Sequence, residues 1–181
     1  MIVFSWQRPD GGQMKEYKTG IMPLQNCDLK DCVSVIKNSF KTVADEFGVT
    51  EENAPRFIAF STDETRINYQ RYLEDRPMFG YFKKNKLVGY YSLFSVNGEE
   101  CELNGLCVLP EYRHHHIGEK LLKHSIEQAK HHGFTRMVTG IFEDKAELRT
   151  WFENNGFVHT GTKKYDFLPF MFGFMETEID R

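Results

Sequence analysis

The chain has 181 residues, 40% of them hydrophobic and 27% charged, with a formal net charge of −3. That length suits one domain with a real core, and the near-balanced charge argues against a general nucleic-acid or membrane binder. No run approaches the ~18 apolar residues of a membrane span, the start MIVFSWQRPDGG does not read as a secretory signal, and no two of Cys27, Cys32, Cys101 and Cys107 are spaced CxxC, so reduced thiols in a cytoplasmic protein are expected.

Residues 1–16 read as an N-terminal extension with a turn at Pro9-Asp10-Gly11-Gly12, ahead of one domain over 17–181. Tyr17 to Leu24 is a first strand. Asp28 then caps a helix whose apolar residues Val33, Ile36 and Phe40 fall at helical spacing. Residues 50–75 are polar with scattered aromatics and hold one or two further helices. Met78 to Phe82 and Lys86 to Phe94 are strands joined by a turn at Lys83-Lys84-Asn85. Asn97-Gly98 signals a tight hairpin into the strand Glu100 to Val108. Gly105, inside that strand, marks a bulge or a close backbone approach.

A helix opens at Gly118, with Leu122, Ser125, Ile126 and Ala129 on one face and Gly133 as its stop. His131 and His132 fall in its last turn, where positive charge is favoured, and take a capping or solvent role. Phe134 to Ile141 is another strand. Asp144 and Glu147 form a capping pattern for a short helix bearing Leu148, Trp151 and Phe152, which stops at Asn155-Gly156. Strand-like segments at 157–166 and 169–178 close the chain. The expected fold is mixed α/β, a mostly antiparallel twisted sheet of about seven strands with helices on its faces.

The loop before the second long helix reads RHHHIG, Arg113 to Gly118. A strand that runs through a short loop into a helix start offers unpaired N–H groups and partial positive charge, which suit a phosphate. Gly118 lacks a Cβ and permits close approach, and Arg113 adds a fixed charge. Adjacent histidines point in different directions, so His114, His115 and His116 do not make a tetrahedral metal site.

The segment LCVLPEYRHHHIGEKLL, Leu106 to Leu122, resembles motif A of the GNAT superfamily of acyl-CoA-dependent N-acyltransferases. WFENNGF, Trp151 to Phe157, resembles motif B of the same family, and both occur in the family's order with a strand between them. The resemblance spans about 17–178. It implies a GNAT fold, splayed between the fourth and fifth strands, here those ending near Val108 and Ile141. It further implies acetyl-CoA as cosubstrate, its pantetheine arm against Leu106, Cys107 and Val108 and its pyrophosphate on Arg113, His114, His115, His116, Ile117 and Gly118. The implied activity is acetyl transfer to a primary amine of a small molecule or peptide by direct attack on the thioester. The alternative is a GNAT-fold acyl-CoA-binding module with little or no transfer.

Two departures bear on that activity. His116 stands where the family has Gly; it is tolerated at negative φ and costs of order 1 kcal/mol or more at positive φ. Phe152, counted among the cofactor contacts, stands where motif B commonly has a Tyr that protonates the thiolate, and Lys145 replaces the motif's upstream Asn. The resemblance offers Glu102 as base, and Tyr165 is an alternative acid; both also read as ordinary strand-surface or aromatic rim residues. Cys107 reads as a small buried residue rather than a nucleophile. The acceptor region implied by the family holds Asp45, Glu46, Glu51, Glu52, Asp63 and Glu64, which either favour a cationic amine or form a solvated helix surface. The apolar FLPFMFGFM, Phe167 to Met175, reads as core, a lid, or the interface of a homodimer.

Overall fold

The structure, a computed structural model, describes residues 5–7 and 15–180, with side chains from residue 18 onward. The proposed turn at Pro9 to Gly12 lies outside the described residues. Ser5–Gln7 (β1) and Lys15–Tyr17 (β2) pair antiparallel as a separate ribbon. The first strand of the main sheet is therefore shorter than the sequence suggests, Gly20–Pro23 (β3), because Tyr17 belongs to the ribbon and Gly20, at φ 113°, breaks the extended run.

A 3-10 turn at Asn26–Asp28 leads into α1, Leu29–Glu46. Asp28 is its N-cap residue, but its carboxylate reaches back to the Gln25 N–H at 2.7 Å instead of capping α1. Short α2 (Ile58–Ser61) and α3 (Glu64–Tyr72) follow, the latter capped by Asp63 accepting from the Arg66 N–H at 2.7 Å. Then come β4 (Met78–Lys83), β5 (Lys86–Ser95) and β6 (Glu100–Val108). Lys84 and Asn85, both at positive φ, make the tight turn between β4 and β5. The β5–β6 hairpin closes on the Asn97 side chain, whose Oδ1 accepts from the N–H groups of Glu99 and Glu100 at 2.9 Å each.

The chain continues through α4 (Ile117–His131), β7 (Arg136–Phe142), α5 (Ala146–Asn154), β8 (Val158–Lys164) and β9 (Met171–Glu178). Gly133 at φ 82° and Gly156 at φ 87° end α4 and α5 as expected. The His132 ring bonds the Gln128 carbonyl at 2.7 Å, a C-terminal capping contact. The Asp144 cap is not made. Lys145 occupies the N-cap, because its own N–H turns back to the Phe142 carbonyl and delays the helix by one residue.

The seven-stranded sheet runs β3-β4-β5-β6-β7-β9-β8, antiparallel except for the pair β6 and β7. The last hairpin places β9, not β8, beside β7. The two long helices clamp β5 and β6 from opposite faces. A Cβ added at Gly89 would meet Leu121 and Ile117 of α4, whereas Tyr90 shares a cavity wall with Ile36 of α1. The buried stripe of α4 is Ile117, Leu121, Leu122, Ser125 and Ala129, rotated slightly from the sequence expectation, with Gly118 at its edge. A second apolar cluster joins the end of α1 to the far side of the sheet, with the Phe142 and Phe170 rings stacked 3.9 Å apart and Phe57 edge-on to Phe142. Phe170 and Met175 of the last hairpin are buried in the core, while Phe167 stays exposed. Among the described residues, no helix is long and apolar enough to cross a membrane.

Candidate functional site

Two local irregularities in β6 shape the site. The first is a bulge. Register runs Ser92↔Asn104 and then Tyr90↔Cys107, so Gly105 and Leu106 together stand opposite Tyr91. Gly105 holds φ 64°, and a Cβ there would lie 3.1 Å from the Tyr90 ring, so this position needs glycine on two counts.

The second is a split. The parallel ladder between β6 and β7 has only three rungs, Glu100↔Arg136, Cys101↔Met137 and Glu102↔Val138. Beyond it Thr139 donates its hydroxyl to the Leu103 carbonyl at 2.9 Å. From there the strands part, and the β6 edge that includes Leu106, Cys107 and Val108 has no strand partner on that side. An unpaired strand edge inside a sheet invites another extended chain to pair with it.

The split leads into the RHHHIG loop through a 3-10 turn at Pro110–Tyr112. Arg113 does not point its guanidinium freely into the loop. Its Nε donates to the Val108 carbonyl at 3.1 Å, and its Nη2 donates to the Ser39 carbonyl at 2.9 Å and to the Thr42 hydroxyl at 3.0 Å. It ties the loop to α1. His114 and His116 both sit at positive φ, 61° and 57°. Of the two cases posed by the sequence, the strained one holds at residue 116. The three histidines are exposed, and the His116 ring lies 2.8 Å from the Glu119 carboxylate, turned along the helix. The backbone N–H groups from His114 to Glu119 make no loop or cap hydrogen bond among the described residues. Gly118 has no positive φ, and a Cβ there would make only ordinary contact with Trp151 at 3.6 Å. Nothing inside the chain requires glycine at that position.

Motif B divides its two aromatics. Phe152 is 4% exposed, its ring packed edge-on to Trp151 and Phe157 in the core, and Trp151 is the ring that borders Gly118. The sequence singled out Phe152 and passed over Trp151, although helical spacing from Leu148 marked both. Cys107 is buried, and burial pushes its thiol up to about 12, so it stays protonated at neutral pH.

Glu102 lies at the last rung of the parallel ladder, half-buried, on the same face of β6 as Asn104. Tyr165 sits in the β8–β9 connection, its ring 5.9 Å from Phe172, which in turn covers Gly140 of β7.

A cavity of about 160 Å³ opens on the bulge at Asn104 and Gly105, beneath α2 and α3. Tyr90, Ser92, Arg56 and Arg66 also line it. None of Asp45, Glu46, Glu51, Glu52, Asp63 and Glu64 does: Asp45 pairs with Lys41, Glu46 with Lys145, and the rest are exposed. No pattern in the sequence marked Arg56 and Arg66, because they come from different segments and meet only in the fold.

Comparison with known proteins agrees with this geometry. The model of the Acetyltransferase (GNAT) family matches residues 46–157. The chain belongs to the GNAT acetyltransferase family. Its fold is shared with PaiA N-acetyltransferase from Thermoplasma acidophilum, solved in complex with coenzyme A, at 23% identity and TM-score 0.71 over 87% of this chain and 97% of that one. The ribosomal-protein-S18-alanine N-acetyltransferase from Escherichia coli superposes with TM-score 0.70 at 16% identity, covering 89% of this chain and 94% of that one. YncA from Salmonella typhimurium, solved with acetyl-CoA, gives TM-score 0.66 at 19% identity over 88% and 93% of the two chains. No curated protein matches the sequence.

Proposed function

We propose that the chain transfers an acetyl group from acetyl-CoA to a primary amine. The observation that carries this reading is the split between β6 and β7, with an unpaired β6 edge running directly into a helix-start loop of unpaired amides. The edge at Leu106, Cys107 and Val108 suits the amide-bearing pantetheine arm. The amides from His114 to Gly118 suit the pyrophosphate, with Trp151 bordering it. Gly118, which the fold itself does not need, is explained by close approach of that phosphate.

Acetyl-CoA supplies the acetyl group as a thioester. The amine nitrogen forms a bond to the carbonyl carbon, the carbon–sulfur bond breaks, and its electron pair leaves on sulfur. Glu102, on the face that carries Asn104, takes the proton from nitrogen. The Val108 N–H polarises the carbonyl. Tyr165, in the β8–β9 connection, supplies a proton to sulfur in place of the hydroxyl that Phe152 lacks.

The test is isothermal titration with acetyl-CoA, followed by thiol release on a panel of primary amines. Saturable binding and amine-dependent thiol release are expected; no binding at high micromolar acetyl-CoA removes the proposal. One observation favours a second reading, an acyl-CoA-binding module: Phe152 is buried and has no proton to give. Tight binding with no thiol release for any amine would select it.

A further inference from the structure

The cavity beside the bulge has a distinct chemical character. Arg56, just ahead of α2, and Arg66, on α3, are both exposed and line it, and no Asp or Glu does. Neither arginine pairs with a carboxylate among the described residues. Among the lining residues, the Asn104 Nδ2 is buried without a hydrogen-bond partner among the described residues, and the Tyr90 hydroxyl is buried with Ser92 as its neighbour. Tyr90 is 2% exposed, and burial raises its phenol so far that it remains an O–H donor.

Buried polar groups of folded proteins are nearly always paired, so the orphaned Asn104 donor beside this small cavity favours a ligand that accepts. A fork of five fixed donors on each guanidinium is suited to planar or tetrahedral oxyanions. At about 160 Å³ the space matches roughly five waters of ~30 Å³ each, the scale of an amino acid rather than a folded protein surface. Asn104 and Gly105 line it immediately before the β6 edge assigned to the thioester, so a molecule held by the arginines lies beside the bulge.

We propose that the acceptor is a small primary amine that also carries an anionic group, a carboxylate or a phosphate, held by Arg56 and Arg66 with Tyr90 and Asn104. This rests on the acetyl-transfer reading and narrows its substrate. It replaces the cationic acceptor that the acidic residues of the early helices suggested, since those carboxylates lie outside the cavity.

The experiment uses the full chain saturated with acetyl-CoA, whose own binding is measured first and separately. Aliphatic α- and ω-amino acids and aminoalkyl phosphates are each assayed beside the neutral amide or amino alcohol of matching length, by thiol release and by calorimetric titration. The expected result is at least a tenfold higher kcat/KM, or tighter binding, for one anionic series over its neutral partners; which series wins separates carboxylate from phosphate. The double variant Arg56→Gln/Arg66→Gln is expected to lower that anion-over-neutral ratio at least tenfold. Lys130→Gln, on α4 at the opposite face of the sheet, leaves the ratio in place. Equal handling of anionic and neutral amines, a ratio unchanged in the double variant, or no binding by any anionic amine each overturns the proposal. If acetyl-CoA still binds and some amine still releases thiol in those cases, the acetyl-transfer reading survives. If acetyl-CoA does not bind, that reading fails instead.

Discussion

Replacing His116 tests the loop at its most strained point. The residue sits at φ 57°, ψ 18°, where a side chain costs about 1–2 kcal/mol relative to glycine. Glycine gives back part of that, about 0.4–1 kcal/mol, through the greater freedom of its unfolded chain. The exposed contact between His116 and Glu119 contributes a further ~0–1 kcal/mol that the variant loses. His116→Gly is therefore close to neutral in stability, and His116→Ala isolates the backbone term. Alanine keeps the strain without the imidazole, so the glycine variant should be more stable than the alanine variant by about 0.5–1 kcal/mol, up to ~4 °C in Tm for a chain of this size. Affinity is the second readout. The ring is turned along the helix toward Glu119, so it is loss of the Cβ that lets a phosphate come closer, and one better charge-assisted hydrogen bond corresponds to about tenfold in Kd for acetyl-CoA. The freed Glu119 carboxylate at the helix start opposes that gain, and the double variant His116→Gly/Glu119→Gln restores it. An alanine variant as stable as the glycine one refutes the left-handed backbone. A weaker acetyl-CoA complex in His116→Gly at unchanged Tm shows that the imidazole is a phosphate ligand and overturns the reading of the ring as a bystander.

Arg113→Gln should lower stability by about 1.5–3 kcal/mol in urea melts, because its bonds to Val108, Ser39 and Thr42 disappear; a large loss of acetyl-CoA affinity with no loss of stability would show the guanidinium acting on phosphate instead. His124 on α4 is held below its ordinary value of 6.5 by burial, and its Nδ1 lies 2.7 Å from the Tyr91 hydroxyl. The unfolded chain thus takes up the proton first, so stability is full above about pH 6.5 and falls as the pH drops below it; His124→Gln should flatten that part of the Tm-against-pH curve, and an unchanged slope would rule the group out. Of the four cysteines only Cys27 is exposed, so iodoacetamide should label one thiol in the native protein and four in urea. Rapid labelling of Cys107 would contradict its burial.

What the sequence makes legible follows the range of the interaction. The order of strands and long helices is readable because apolar period and turn residues are local: Asn97-Gly98, Gly133 and Gly156 all sit where their chemistry predicts. Gly105 likewise announces the bulge. Helix starts are less readable, since Asp144 loses the cap to a turn at Lys145, and Asp28 uses its carboxylate on Gln25. The cofactor loop is legible as a helix-start anion site, but the direction of Arg113 is not, because its partners on α1 lie more than 70 residues away. The cavity beside the bulge is the least legible part. Its arginines, tyrosine and asparagine come from four separate stretches, and the run of acids that dominates the same region by composition stays in solvent.

The extra residue in β6 also governs which changes the strand can absorb. Side chains alternate across a pleat, so one inserted residue reverses the parity of everything beyond it. Asn104 and Cys107, which would otherwise look in opposite directions, both end up on the α1 face. A one-residue deletion between them would restore a plain ladder and leave both on that face, whereas the same deletion from a strand without a bulge would turn everything beyond it over. The strand thus behaves as two modules spliced at Gly105, able to lose the extra residue there without reversing either face.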